Sequence, residues 1–65
     1  LQYTDISLMD KINFLAMLGD TNKVLKEYDE AKKCYNQAFI VSAEIENKQL
    51  MVQLQKMIQD RLSVL

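Results

Sequence analysis

The side chains best suited to acid–base chemistry in this sequence are carboxylates, and they occur as two pairs. Asp5 and Asp10 form the first pair, and the adjacent Asp29 and Glu30 form the second. A catalytic pair would divide the roles of general acid and general base between its members. These acids, however, stand near predicted helix starts, where carboxylates cap free amides or interact favourably with the helix dipole. The structural role is the simpler interpretation of both pairs.

Nucleophilic and metal-dependent chemistry have little support in the residue types. The sequence contains no His and a single cysteine, Cys34, so the usual set of metal ligands is missing. Cys34 falls on an apolar stripe, where a buried structural thiol is the simpler interpretation. The sequence also lacks a Gly-rich phosphate loop and a nucleophile turn. We therefore expect neither an enzyme nor a protein with a bound cofactor or metal.

Composition and charge narrow the class of protein further. The chain has 65 residues, of which 49% are hydrophobic, with one Gly and no Pro, so we expect one helical domain. The net charge of -1 argues against nucleic-acid binding, because that binding relies on Lys and Arg contacts to phosphates. No apolar run is long enough to predict a membrane span. The lone cysteine favours a reducing compartment, so we expect a cytoplasmic location.

Apolar residues recur at helical spacing in three segments, which predicts an all-α fold. We expect helices over about 5–25, 28–46 and 48–64, with Asn47 ending the second helix in a left-handed conformation. Short connections favour antiparallel neighbours, so the helices should run up, down and up. The apolar faces consist, in order, of Leu8, Ile12, Leu15, Ala16 and Leu18; of Ala31, Cys34, Tyr35, Ala38, Val41 and Ile45; and of Leu50, Leu54, Met57, Ile58, Leu62 and Leu65.

The first two segments carry small and aromatic residues at the spacing typical of a tetratricopeptide repeat. The positions that match the repeat pattern are Leu15, Leu18, Gly19, Ala31, Tyr35 and Ala38. Residues 12 to about 45 therefore resemble one tetratricopeptide repeat. Asn22 replaces the usual Tyr, and the long second helix is similar to that of repeats of about forty residues.

This resemblance implies an antiparallel helical hairpin followed by a third, capping helix. Gly19 and Ala38 would be the points where the two hairpin helices approach closely. The Gln-rich side of the third helix suits the polar outer face of a cap. In the family, the first helix of each repeat lines a groove that binds partners. Carried over to this chain, those positions imply a partner-binding stripe of Asn13, Ala16, Asp20 and Lys23.

These expectations converge on a protein–protein interaction module that binds a protein or peptide partner. About three repeats are needed to bury both faces of such a hairpin, so we expect the chain to be the carboxyl-terminal part of a longer repeat protein. Alone, it should expose apolar surface and form homo-oligomers or bind a partner helix. The residues expected at that interface are Leu8, Ile12, Phe39, Leu50, Leu54 and Ile58.

Two other functions fit the same sequence. The third helix would pair with its counterpart from another chain in a dimeric structural bundle, through Leu50, Leu54, Met57 and Ile58. Alternatively, the chain would be a regulatory, peptide-sensing domain of an enzyme or transcription factor whose active part lies elsewhere in the protein.

Overall fold

A computed structural model describes residues 3–65 and contains three α-helices, which confirms the all-α fold class. Helix α1 spans Tyr3–Val24, α2 spans Tyr28–Ser42 and α3 spans Lys48–Ser63. Helices α1 and α2 form the hairpin and make the most extensive helix–helix contact, and α3 also packs against α2. The arrangement is elongated, with extents of 36 × 18 × 13 Å.

The turn between α1 and α2 lies where the sequence predicted it and depends on Lys26. Lys26 has a left-handed backbone with φ of 62°. The amide of Glu27 donates to the carbonyl of Asn22 at 2.8 Å, and the amide of Lys26 donates to that of Lys23 at 3.0 Å. These two bonds form a Schellman motif, which satisfies carbonyls left free at the end of a helix. A residue other than Gly in this conformation costs about 1–2 kcal/mol.

Helix α2 ends at Ser42, so the predicted end near residue 46 is wrong. The amides of Ala43, Glu44 and Ile45 bond to carbonyls three residues back, which tightens the chain beyond α-helical geometry. This tighter turn directs Ile45 into the core, where it is 4% exposed. Spacing alone did not reveal the turn, because a continued helix would also bury a residue four positions after Val41.

Asn47 begins α3 instead of ending α2, which corrects a second expectation. Its backbone is extended, with φ of -73° and ψ of 106°, and its side-chain oxygen accepts a hydrogen bond from the amide of Leu50 at 3.1 Å. Asn is well suited to this position because its short side chain reaches the free amides of the first turn. Asn47 is thus the N-cap of α3.

Gly19 is a close contact point between α1 and α2, as predicted. A Cβ atom built on Gly19 would lie 2.6 Å from Cε1 and 2.8 Å from Cδ1 of Tyr35, which is closer than carbon atoms normally approach. The side chain of Tyr35 is fully buried, as are Ala31 and Ala38 on the same face of α2. Small residues on both helices therefore make room for one aromatic ring.

Helices α1 and α3 run parallel, and two polar contacts join the α1 helix to α3 and the connection before it. Near the start of α1, the buried carboxylate of Asp5 accepts hydrogen bonds from the amides of Glu46 and Asn47, at 3.0 and 3.2 Å. Further along α1, Asp20 pairs with Arg61 of α3 at 3.2 Å. Both contacts join residues about 41 positions apart, so the two helices stay in register along their length.

Asp5 therefore has a different role from capping the start of α1. The sequence predicted a capping role for Asp5 near the start of this helix, but Asp5 lies inside it. The carboxylate of Asp5 instead fixes the connection between α2 and α3 through two backbone amides. The residues just before α1 lie outside the described residues.

Candidate protein-interaction surface

The partner-binding stripe expected from the tetratricopeptide resemblance is only partly accessible. Asn13 is exposed, Asp20 and Lys23 are half-buried, and Ala16 is 3% exposed. Ala16 belongs to the face that packs inside the hairpin, so its expected contact with a partner is wrong. The remaining three positions lie along one side of α1.

Asp20 is already engaged in a polar contact that connects all three helices. The phenol of Tyr35 donates a short hydrogen bond to its carboxylate from α2, and Nε of Arg61 donates to it from α3 at 3.2 and 3.3 Å. Burial raises the pKa of Tyr35 to about 12, and the hydrogen bond and negative charge of Asp20 act in the same direction. The nearby positive charge of Arg61 opposes this rise. The cluster keeps the phenol protonated and holds the helices together.

The apolar residues expected at an interface lie mostly in the core of this chain. Ile12 and Ile58 are fully buried and Leu54 is 9% exposed, so the expectation that these three are exposed is wrong. Leu8, Phe39 and Leu50 are partly buried and pack against the same core. The apolar face of α3 is thus covered by α2, which removes the main support for pairing of third helices between chains.

A different apolar surface, on the side of α1 that points away from α2, is exposed. We call it the outer α1 face. Its apolar members are Ile6, Phe14, Met17, Leu18, Val24 and Leu25, which are between 41% and 80% exposed. Asp10 and Thr21 lie among them and are also exposed. Spacings of three and four place these residues on one side of the helix.

Helix α3 provides an internal comparison for this face, because it also flanks α2 and runs parallel to α1. At an offset of 42 residues, the buried and half-buried positions of the two helices correspond. The inward pairs, all apolar and buried or half-buried, are Leu8 and Leu50, Met9 and Met51, Ile12 and Leu54, Leu15 and Met57, and Ala16 and Ile58.

The outward positions at the same offset differ sharply between the two helices. Four of the exposed apolar residues of α1 have a counterpart in α3 at this offset, and each counterpart is an exposed polar or charged residue. The outward pairs are Ile6 and Lys48, Phe14 and Lys56, Met17 and Gln59, and Leu18 and Asp60. Val52, which is 59% exposed and corresponds to Asp10, is the exception on α3. The outer side of α3 is thus mainly polar, whereas α1 is apolar on two sides.

Sequence reasoning missed the outer α1 face as a site, although its signal was present. The predicted apolar stripe of α1 accounted for Leu8, Ile12 and Leu15 and left Phe14 and Met17 without a partner. A surface helix of a globular protein normally has one apolar stripe. The apolar residues on a second side of α1 therefore indicate a second contact surface.

The other candidate features give weaker evidence for a functional site than the outer α1 face does. Cys34 is half-buried, and its Sγ lies 3.6 Å from the side-chain amide of Asn22. Asp29 and Glu30 are exposed in the first turn of α2, as the dipole interpretation predicted. Within residues 3–65, no group of three or more His, Cys, Asp or Glu side chains is arranged to hold a metal ion.

Comparison of the chain with protein-family models, with curated proteins and with solved structures found no match. Among the helices formed by the described residues, none has the length and apolar character needed to cross a membrane.

Proposed function

We propose that this chain is a protein–protein interaction module that binds a helix of its partner on the outer α1 face. The observation that carries the proposal is the contrast between α1 and α3. Phe14 and Met17 are 63% and 68% exposed, while the corresponding residues of α3 are Lys56 and Gln59. The largest exposed apolar patch of a monomeric protein is about 300–600 Å² and is often functional. A row of apolar residues at spacings of three and four is the pattern by which helices dock on one another.

We further propose that the hairpin is of the tetratricopeptide type. The support for this is the hairpin contact, at which four of the residues that match the repeat pattern are buried. Gly19 faces the ring of Tyr35, and Ala31 and Ala38 are fully buried beside it. Repeats of this kind stack their helices on neighbouring helices and expose apolar faces when separated from them. An apolar outer α1 face agrees with that way of stacking.

The proposed docking surface is tested by replacing two residues of the outer α1 face with the corresponding residues of α3, Lys56 and Gln59. The double variant Phe14→Lys and Met17→Gln removes the centre of the outer α1 face without touching the core. Binding of a hydrophobic dye and of an immobilised, leucine-rich amphipathic helix should each weaken roughly tenfold or more, because two large side chains lose their burial. The helical circular dichroism should remain.

Ile40→Lys is the matched control for this variant. Ile40 is 67% exposed but lies among polar residues on the outer side of α2, so its replacement should leave both binding signals unchanged. Equal binding by the wild-type chain and the double variant would refute the proposed docking surface. High salt should not reverse binding, since burial of apolar surface is not screened by ions.

A further inference from the structure

We propose that α3 is an autoinhibitory helix, which opens from the α1–α2 hairpin about Asn47 and is replaced there by a partner helix of the same pattern. That pattern is two aliphatic residues four positions apart, Leu54 and Ile58, followed three positions later by Arg61. The groove under α3 is a different surface from the outer α1 face, so this inference goes beyond the proposed function.

Helix α3 is the least buried of the three helices. Two of its residues, Leu54 and Ile58, are buried, compared with four residues of α1 and five of α2. Its contact with α2 is also less extensive than the contact between α1 and α2. Elements with few buried apolar contacts open locally, at a free energy below that of global unfolding. Helix α3 is therefore the element best suited to open while the other two stay packed.

The carboxyl-terminal end of α3 is incompletely packed on α2. An open cavity of about 360 Å³ lies between this end and the start of α2, and it is lined by Leu62, Leu65, Tyr28, Asp29, Lys32 and Asn36. Tyr28 is 49% exposed and Leu65 is 37% exposed, although both are apolar in most of their surface. Apolar surface that stays in water does not contribute to the docking of α3.

The connection before α3 is anchored, which places the hinge at Asn47. Ile45 lies in the core, and the carboxylate of Asp5 accepts hydrogen bonds from the amides of Glu46 and Asn47. These contacts precede the first turn of α3, so they can persist when the helix moves away. Hinges are residues at the ends of elements that absorb a change in backbone angles. Asn47, with an extended backbone just before α3, has that position.

The groove under α3 determines the chemistry and direction of the helix that it accepts. Leu54 and Ile58 fill its apolar part and belong to one core cluster with Tyr35. Towards the end of α3, the carboxylate of Asp20 accepts a hydrogen bond from Nε of Arg61 at 3.2 Å. A helix in the opposite direction would carry its basic residue away from Asp20. The partner is therefore an amphipathic helix with two aliphatic anchors and a basic residue, in the direction of α3.

A fluorescent peptide with the sequence of residues 47–65 tests whether the groove can be opened and refilled. The tethered α3 competes at a local concentration on the order of millimolar, so the wild-type chain should bind the peptide weakly. Ile58→Asp places a charge in the core and should release α3, so binding should tighten roughly tenfold or more. Val52→Asp is the matched control on the same helix, because Val52 is 59% exposed, and it should bind as the wild type does.

Amide hydrogen exchange of the wild-type chain measures the opening without any peptide. The amides of α3 should exchange roughly tenfold or more faster than the buried amides of α2. Arg61→Ala should speed exchange in α3 by roughly two- to fivefold, the range for a partly exposed ion pair, and should leave α2 unchanged. The same substitution in the peptide should weaken its binding to the Ile58→Asp chain by a similar factor.

Each contrary outcome overturns the inference. Equal peptide binding by the wild-type and Ile58→Asp chains would exclude a usable groove under α3. Equal exchange rates in α2 and α3 would show that α3 opens only with global unfolding. A loss of helical circular dichroism in Ile58→Asp beyond the share of α3 would show that the hairpin does not survive its release. If Phe14→Lys and Met17→Gln abolish peptide binding by Ile58→Asp, the peptide lies on the outer α1 face, and the proposed function stands without this inference.

Discussion

Gly19→Ala should destabilise the protein even though Ala is the better helix former. In an open helix interior, this change stabilises by about 1 kcal/mol. Here the added Cβ would lie 2.6 to 2.9 Å from three atoms of the Tyr35 ring, which is fully buried and held by a hydrogen bond to Asp20. Overpacking of this kind costs about 1–3 kcal/mol. The net result is a loss of up to about 2 kcal/mol, and Gly19→Leu should lose more.

Thermal unfolding followed by circular dichroism measures the effect, since about 1 kcal/mol shifts the midpoint of a domain this small by about 4–8 °C. The decisive control is the same change in a Tyr35→Val background. The three ring atoms that meet the new Cβ lie beyond Cγ, where Val ends, so Gly19→Ala should become stabilising there. A higher midpoint for Gly19→Ala in the wild-type background would refute the close contact and weaken the tetratricopeptide proposal.

Three further changes probe the turn, the buried carboxylate and the buried phenol. Lys26→Gly should stabilise the fold by up to about 1 kcal/mol by relieving the left-handed backbone, whereas Lys26→Ala should not, and equal unfolding midpoints for the two would contradict this. Asp5→Asn should cost about 1–3 kcal/mol in denaturant unfolding, because an amide group would replace one of the oxygens that accept backbone amides, whereas exposed Asp10→Asn should be nearly neutral. The pKa of Tyr35 is raised to about 12, so the stability that its protonated form contributes is complete below pH 10 and is lost as pH rises through 12. Tyr35→Phe should therefore lose less stability than the wild-type chain across that range, and parallel curves would contradict the assignment.

The sequence predicted the helices well because their determinants are local. Apolar spacing placed the three helices, and the small residues Gly19, Ala31 and Ala38 indicated where the first two approach closely. The end of α2 was missed because its tight turn buries Ile45 at a position that a continued helix would also bury. The role of Asp5 was missed because its amide partners lie 41 and 42 residues away, beyond any local pattern.

The interface residues were harder to predict because α1 is apolar on two sides. Periodicity identifies the apolar sides of a helix but does not tell which one faces the rest of the same chain. The sequence assigned Ile12 to an exposed patch, although the hairpin buries it completely. The expectation that the chain alone exposes apolar surface agrees with the exposed Phe14 and Met17.

The two candidate binding surfaces on α1 differ in what a partner must disrupt. The carboxylate of Asp20 already accepts hydrogen bonds from Tyr35 and Arg61, so a partner that displaces either donor weakens the contact that joins all three helices. A partner on the outer α1 face meets Phe14 and Met17, which lie outside the buried core. Docking there leaves the polar cluster and the core unchanged, because neither side chain must leave an existing contact. Binding on the outer α1 face is therefore compatible with the intact fold, whereas displacement of Arg61 from Asp20 would remove a contact between α1 and α3.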